Sequence, residues 1–167
     1  IRNGNKVPTA RFLNKAPEGL FERSLERCII CPSSIILHRS IFEKIGFFDT
    51  KLPICEDYDF WLRLLLNYQI GLVDEPLVVK TGGHPDQLST STWGLVRFHV
   101  QSLEQIYLSE ELNSWQEEMV LKTIARKADL LAKGFMKHGK EGEARKYNDM
   151  RRLALENLGF ITTVPSS

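Results

Sequence analysis

Apolar residues occur first in short runs and later at helical spacing, and the change falls near residue 90. Two β-branched runs at 28–31 and 34–38 are separated by Pro32, which predicts a buried strand entered through a bend. Two further short strands are predicted over 70–74 and 77–80. The first part of the chain therefore has the pattern of an α/β protein.

Two helices are predicted between these strands. Ser40 and Glu43 have the spacing of a capping box, and Gly46 stands where a short helix would end. The second helix is predicted over 57–67, because acidic residues in a first turn complement the helix dipole. This helix is apolar on nearly every side, so we expect it to be buried on more than one face.

The remainder of the chain predicts a helical extension. One helix face is marked by apolar residues that step by four, four, three and four: Val120, Ile124, Ala128, Leu131 and Phe135. Gly139 and Gly142 interrupt the pattern, which resumes over 144–158. We expect this face to pack on a hairpin partner around Leu153 and Leu155. The predicted organisation is an α/β domain over 1–90 and a helical extension over 91–167.

Composition narrows the function classes. Hydrophobic residues make up 43% of the chain, and 22 Lys plus Arg face 21 Asp plus Glu, a net charge of +1. With so small a net charge, the chain has no broad positive electrostatic field that would attract nucleic acid. The chain has no apolar run of the roughly 20 residues that a membrane helix needs, so we expect a soluble, cytoplasmic protein without an integral membrane segment. Peripheral membrane association stays open.

The three cysteines predict no disulfide framework and no zinc site. Cys28 and Cys31 have C-x-x-C spacing, but no second pair completes a tetrahedral set. In a predicted strand such cysteines behave as small hydrophobic residues. Ile1 is not a typical mature start, and we expect the chain to begin inside a longer reading frame.

Three acids, Glu56, Asp57 and Asp59, directly precede an apolar helix. Such a cluster is costly to desolvate, and helix capping requires only one of them. Asp57 and Asp59 also form a D-x-D pattern, but side chains at i and i+2 point to different sides of a helix and would chelate one ion poorly. Asp57 is therefore either a helix cap or a functional carboxylate.

Residues 40–63, SIFEKIGFFDTKLPICEDYDFWLR, resemble a stretch of family 2 glycosyltransferases, and the likeness extends over roughly 28–89. Thr50 departs from the usual Glu. The resemblance implies the second, acceptor-side half of a GT-A (nucleotide-diphospho-sugar transferase) fold, with the donor-binding half upstream of Ile1. Its anchors occur in the family's order: Gly46, Phe48, Asp49, Glu56, Asp57, Asp59, Trp61, Arg63, Glu75, Pro76, Leu77 and His84.

The resemblance also implies roles for individual residues. Asp57 would be the general base that takes the proton of the acceptor hydroxyl, as inverting transfer requires. Glu56 would line the acceptor side, and Tyr58 and Trp61 could stack on a sugar, although Trp61 also suits a core position. Asp59 and Arg63, at i and i+4, are expected to pair structurally.

His84 is the candidate metal ligand. Many enzymes with this fold place a histidine there beside a divalent cation, Mn²⁺ or Mg²⁺, that bridges the donor diphosphate, and imidazole suits Mn²⁺. The alternative is a surface-loop histidine. Because the Q-x-x-R-W motif of processive synthases is absent, the resemblance favours single additions from a nucleotide-sugar donor to a sugar, lipid-linked or protein acceptor.

Two other functions remain open at this point. Residues 94–159 could be a helical module that binds a protein partner, beside a catalytically inert transferase-like domain. A degenerate transferase could bind sugar without turnover. The sequence does not specify the donor sugar, the nucleotide or the acceptor.

Overall fold

A computed structural model describes residues 16–75, 77–79 and 94–163, with side chains to residue 159. The chain divides into two compact units, Ile1–Leu95 and Val96–Ser167. A 3₁₀ turn spans Pro32–Ser34. The α-helices of the described residues are α1 (Leu20–Glu26), α2 (Ser40–Ile45), α3 (Glu56–Asn67), α4 (Leu95–Ser109), α5 (Ser114–Lys137) and α6 (Glu141–Thr163).

Helix α3 is the centre of the first unit. Its side chains Phe60, Trp61 and Leu64 are buried, and apolar residues from the preceding segments pack against them. Phe48 lies on Phe60 with ring centroids 4.6 Å apart, and Phe60 meets Trp61 edge to face at 5.1 Å. Phe42 of α2 completes this aromatic cluster at 5.5 Å from Phe60. The prediction that α3 is buried on more than one face is confirmed.

The predicted α/β fold is wrong. The described residues contain helices and irregular segments and no strand, so the first unit is not a GT-A fold. In the first two runs predicted as strands, the side chains of Ile30, Ile35 and Leu37 are partly buried because they pack against α3, and the backbone does not join a sheet. A strand also needs the backbone hydrogen bonds of a partner. Leu72 and Val78, in the other two predicted strands, are exposed at 46% and 51%.

Helix α2 begins without the predicted capping box. The structure gives Ser40 no side-chain capping bond, and its hydroxyl instead lies 2.8 Å from His38 Nδ1. Gly46 does end the helix, as predicted. Its φ of 80° is in the left-handed region that glycine tolerates, and its N–H donates to the Phe42 carbonyl at 3.1 Å.

The second unit is built from α4, α5 and α6. The predicted face of α5 is confirmed, because Val120, Ile124, Ala128, Leu131 and Phe135 are all buried. One core cluster joins residues of the three helices: Val100, Ala128, Leu131, Ala132, Phe135, Ala144 and Tyr147. Within it Phe135 and Tyr147 are stacked, with centroids 5.5 Å apart and ring planes 4° from parallel.

A tight turn joins α5 to α6. Gly139 has φ of 68°, its N–H donates to Met136 at 3.0 Å, and the Lys140 N–H reaches Phe135 at 3.0 Å. These two bonds are those of a Schellman motif, which explains why the helical pattern breaks at this glycine.

Helix α5 does pack on α6, its predicted hairpin partner, but Leu153 and Leu155 are not the residues that fill the core between them. These leucines are 53% and 47% exposed. The core is instead reached by Ala144 and Tyr147, with Met150 packed beside them.

Asn113 caps α5 through a reciprocal pair of hydrogen bonds with Gln116, at 2.9 and 3.0 Å. None of the helices in the described segments is long and apolar enough to cross a membrane.

Candidate functional site

The acidic cluster lies at the beginning of α3. The helix starts at Glu56, one residue before the predicted start, and Cys55 precedes it with a φ of 65°. A left-handed conformation is uncommon for a residue with a side chain. It turns the chain so that the Cys55 carbonyl accepts the first helical bond from Asp59 N–H at 3.2 Å.

Asp57 is half-buried and both its carboxylate oxygens have a neighbour. Oδ1 accepts from the backbone N–H of Tyr58 at 2.8 Å, and Oδ2 accepts from the Cys28 thiol at 3.3 Å. Asp57 is thus in the first turn of the helix but is not its N-cap residue. Each carboxylate oxygen can accept more than one hydrogen bond, so the group retains capacity for a further donor. No ion pair of Asp57 occurs among residues 16–75.

Asp59 has the structural role that its spacing predicted. Its Oδ2 accepts from Arg63 Nε at 2.9 Å, and its side chain is only 4% exposed. Arg63 also donates to the Ile45 carbonyl and, at 2.9 Å, to that of Phe47. Burial raises the pKa of Asp59 above its ordinary value, and the Arg63 cation opposes that rise. The pair fixes the loop that follows α2 against α3.

Tyr58 and Trp61 are 1% and 2% exposed. The Tyr58 hydroxyl donates to the Leu25 carbonyl at 2.7 Å and so ties α3 to α1. Trp61 packs in the aromatic cluster, and its Nε1 has no hydrogen-bond partner among the described residues. Their positions favour packing over sugar stacking, and their contact with substrate stays a prediction. Glu56 is half-buried beside Asp57.

The metal ligand predicted at His84 lies outside the described residues. Within the described segments no three His, Cys, Asp or Glu side chains are grouped to hold a metal ion. Asp57 and Asp59 do not converge either, since one carboxylate faces Cys28 and the other faces Arg63. The described residues therefore do not by themselves assemble the cation site that the resemblance implies.

The structure adds one residue that the sequence did not indicate. Cys28 lies 29 positions before Asp57, and only the folded chain brings the thiol to the carboxylate. Burial, followed by the charge of Asp57, raises the pKa of the Cys28 thiol above its ordinary value. The thiol is therefore protonated at neutral pH and can act as a hydrogen-bond donor.

Chemically, the start of α3 presents the half-exposed carboxylate of Asp57 beside a second acid, Glu56, while the third acid of this turn is paired with Arg63. Such a carboxylate can accept a proton from a bound hydroxyl group. Comparison of the chain with protein-family models, with curated proteins and with solved structures found no match.

Proposed function

We propose that the chain carries the acceptor-side acidic segment of an inverting, non-processive glycosyltransferase, in which Asp57 is the general base. The donor is a nucleotide sugar, and the acceptor supplies a hydroxyl group. The observation that carries the proposal is the contrast between two neighbouring acids. Asp59 is buried in an ion pair with Arg63, whereas Asp57 is half-exposed and its carboxylate can accept a further hydrogen bond.

The reaction requires a base on the acceptor side. As the hydroxyl oxygen attacks the anomeric carbon, its proton passes to an oxygen of Asp57 while the bond from carbon to the diphosphate oxygen breaks. Two features support this role for Asp57. In the resemblance Asp57 belongs to the acidic pair, and the Tyr58 amide and the Cys28 thiol each donate to one of its two carboxylate oxygens.

The experiment uses the complete product of the reading frame and a panel of uridine, guanosine and thymidine diphosphate sugars with Mn²⁺. Release of nucleoside diphosphate is measured with and without simple sugar acceptors. Asp57→Asn should lower kcat by about 10²–10⁴-fold, the usual contribution of a general base, because the amide cannot accept the proton. Its thermal midpoint should stay close to that of the wild type.

The matched control is Glu56→Gln, the neighbouring acid in the same turn. We expect this variant to change KM more than kcat, since Glu56 is predicted to line the acceptor side. Full activity of Asp57→Asn would remove the base from the proposal. Absence of nucleotide binding by the wild-type protein would reject the transferase function itself.

A second candidate function is a helical interaction module, and a groove between α5 and α6 favours it. The groove is open and has a volume of about 290 Å³. Its lining combines three cationic side chains, one of them 3.6 Å from an acid, with three apolar ones: Lys122, Ala125, Arg126, Asp129, Arg151, Leu155 and Leu158. This combination suits an acidic amphipathic peptide. A synthetic Glu/Leu helix should shift NMR signals of the groove, and the double variant Arg126→Glu/Arg151→Glu should abolish those shifts. Equal binding by the variant would reject this candidate.

A further inference from the structure

The Cys28 thiol and the Asp57 carboxylate are in direct contact. Sγ lies 3.3 Å from Oδ2, and the same sulfur lies 3.3 Å from the Ile30 carbonyl oxygen. A thiol has one proton, so it can serve only one of these acceptors at a time. The carboxylate is charged, and hydrogen bonds to charged acceptors are the stronger ones. The proton is therefore directed at Asp57.

The surroundings keep this donor available. Cys28 is half-buried and packs against the core cluster of Phe60, Trp61 and Leu64, which fixes the position of its sulfur. The raised pKa of the thiol means that it stays protonated at neutral pH. An ionised sulfur beside a carboxylate would repel it, whereas the neutral thiol attracts it.

The second oxygen of Asp57 is fixed independently by the Tyr58 amide at 2.8 Å. With one donor on each oxygen, rotation of the carboxylate about its side-chain bond breaks at least one hydrogen bond. The free lone pairs consequently keep one direction, which is what transfer of a proton from a bound hydroxyl requires. With a donor on Oδ1 alone, the carboxylate group could still tilt about that one hydrogen bond.

We propose that Cys28 is a positioning residue, whose thiol holds the Asp57 carboxylate in the orientation needed to accept a proton from the acceptor hydroxyl. The inference rests on the proposed function, because it assigns Cys28 a part in that reaction. It attributes no covalent or redox chemistry to the sulfur.

The contact itself is tested first, without any activity assay. The full chain is treated with iodoacetamide, and the alkylation rate of each cysteine is followed by peptide mass spectrometry. Asp57→Asn removes the charge that disfavours the thiolate, so Cys28 should react at least about threefold faster than in the wild type. Cys31, which lies 3.2 Å from the Ser33 hydroxyl, is the internal control and should keep its rate. An unchanged Cys28 rate would overturn the inference.

The positioning role is then tested by kinetics on the complete protein. Cys28→Ala should lower kcat by about two- to tenfold, the range expected for one lost hydrogen bond, with KM unchanged. Cys28→Ser retains a donor and should recover most of kcat. Cys31→Ala is the matched control and should behave as the wild type.

Each kinetic outcome has a distinct meaning. Normal kcat in Cys28→Ala would overturn the positioning role, and so would a serine variant no better than alanine, since packing alone would then explain the loss. A wild-type protein that transfers no sugar rejects the proposed function and with it the catalytic part of the inference. That failure is recognised in the wild type, before any Cys28 variant is compared.

Discussion

Removal of the Arg63 side chain should destabilise the first unit strongly. Arg63→Met retains an unbranched apolar stem of similar length but deletes the guanidinium group. The change leaves the Asp59 carboxylate, 4% exposed, without its cation, and leaves the carbonyls of Ile45 and Phe47 without a donor. It also removes a guanidinium that lies 5.5 Å from the centre of the Phe60 ring.

The magnitude follows from the burial of the two partners. Removing one partner of a buried ion pair costs about 3–5 kcal/mol, because a charge is left uncompensated. The Arg63 side chain is 14% exposed, so water reaches one edge of the pair. We therefore expect a loss at the lower end, about 3 kcal/mol in the free energy of unfolding.

The loss should depend on pH with a definite sign. The pKa of Asp59 lies above its ordinary value, so this group stabilises the fold fully below the unfolded value of about 3.9 and loses that contribution as the pH rises through the folded value. Arg63 lowers the pKa of Asp59, so its removal raises that pKa further. The difference between Arg63→Met and the wild type should therefore be larger at pH 7 than at pH 5.

Urea unfolding measures both quantities. Trp61, which is buried in the same unit, reports through its fluorescence, in a background where Trp93 and Trp115 are replaced by Phe. Arg39→Met, at an exposed arginine of the same unit, is the control and should change stability by less than about 0.5 kcal/mol. A loss below about 1 kcal/mol for Arg63→Met, or one that does not vary with pH, would refute this explanation of the pair.

Two further predictions concern the second unit. Gly139→Ala should destabilise this unit by about 1–2 kcal/mol because the φ of Gly139 is 68°, whereas Gly134→Ala inside α5 should stabilise it by about 1 kcal/mol because an added Cβ meets nothing within 4 Å. Urea unfolding followed by circular dichroism measures both changes, and effects of equal sign would contradict the turn geometry. Burial, together with Lys127 at 3.4 Å, lowers the pKa of His99 to about 3. The free energy of unfolding should therefore be at its full value above about pH 6.5 and should decline as the pH falls below it. An NMR titration that gives His99 its ordinary pKa would contradict this.

Helices α2, α3 and α5 were predictable because their signals are local, whereas the short helix α1 (Leu20–Glu26) was not predicted. Helix α3 was expected over 57–67 and spans Glu56–Asn67, and the i, i+4 spacing of Asp59 and Arg63 was sufficient to predict their pairing. The buried face of α5 followed from its periodicity. In α6 the conspicuous leucines were misleading, since the small side chain of Ala144 and the ring of Tyr147 face the core while Leu153 lies outside it.

The strands were mispredicted because β-branched composition favours an extended chain without specifying a partner. Ile35 and Leu37 satisfy their burial against α3, and a hydrogen-bonded ladder needs a second segment that local sequence does not identify. Only part of the candidate site could be predicted, because the local sequence shows which residues are neighbours along the chain but not which residues the fold brings together. The acids at the start of α3 stand together in the sequence, whereas the contact of Cys28 with Asp57 depends on the tertiary fold.

The contacts of the two units differ in their separation along the chain, and this has a consequence for folding rates. In the first unit, Leu25 meets Tyr58 and Cys28 meets Asp57 across 33 and 29 positions, so long loops must close before these bonds form. In the second, α5 and α6 follow each other through the Gly139 turn, and local helix pairs assemble in microseconds to milliseconds. We expect stopped-flow refolding to show a fast phase for the hairpin and a slower one for the core around α3, although α3 is synthesised first.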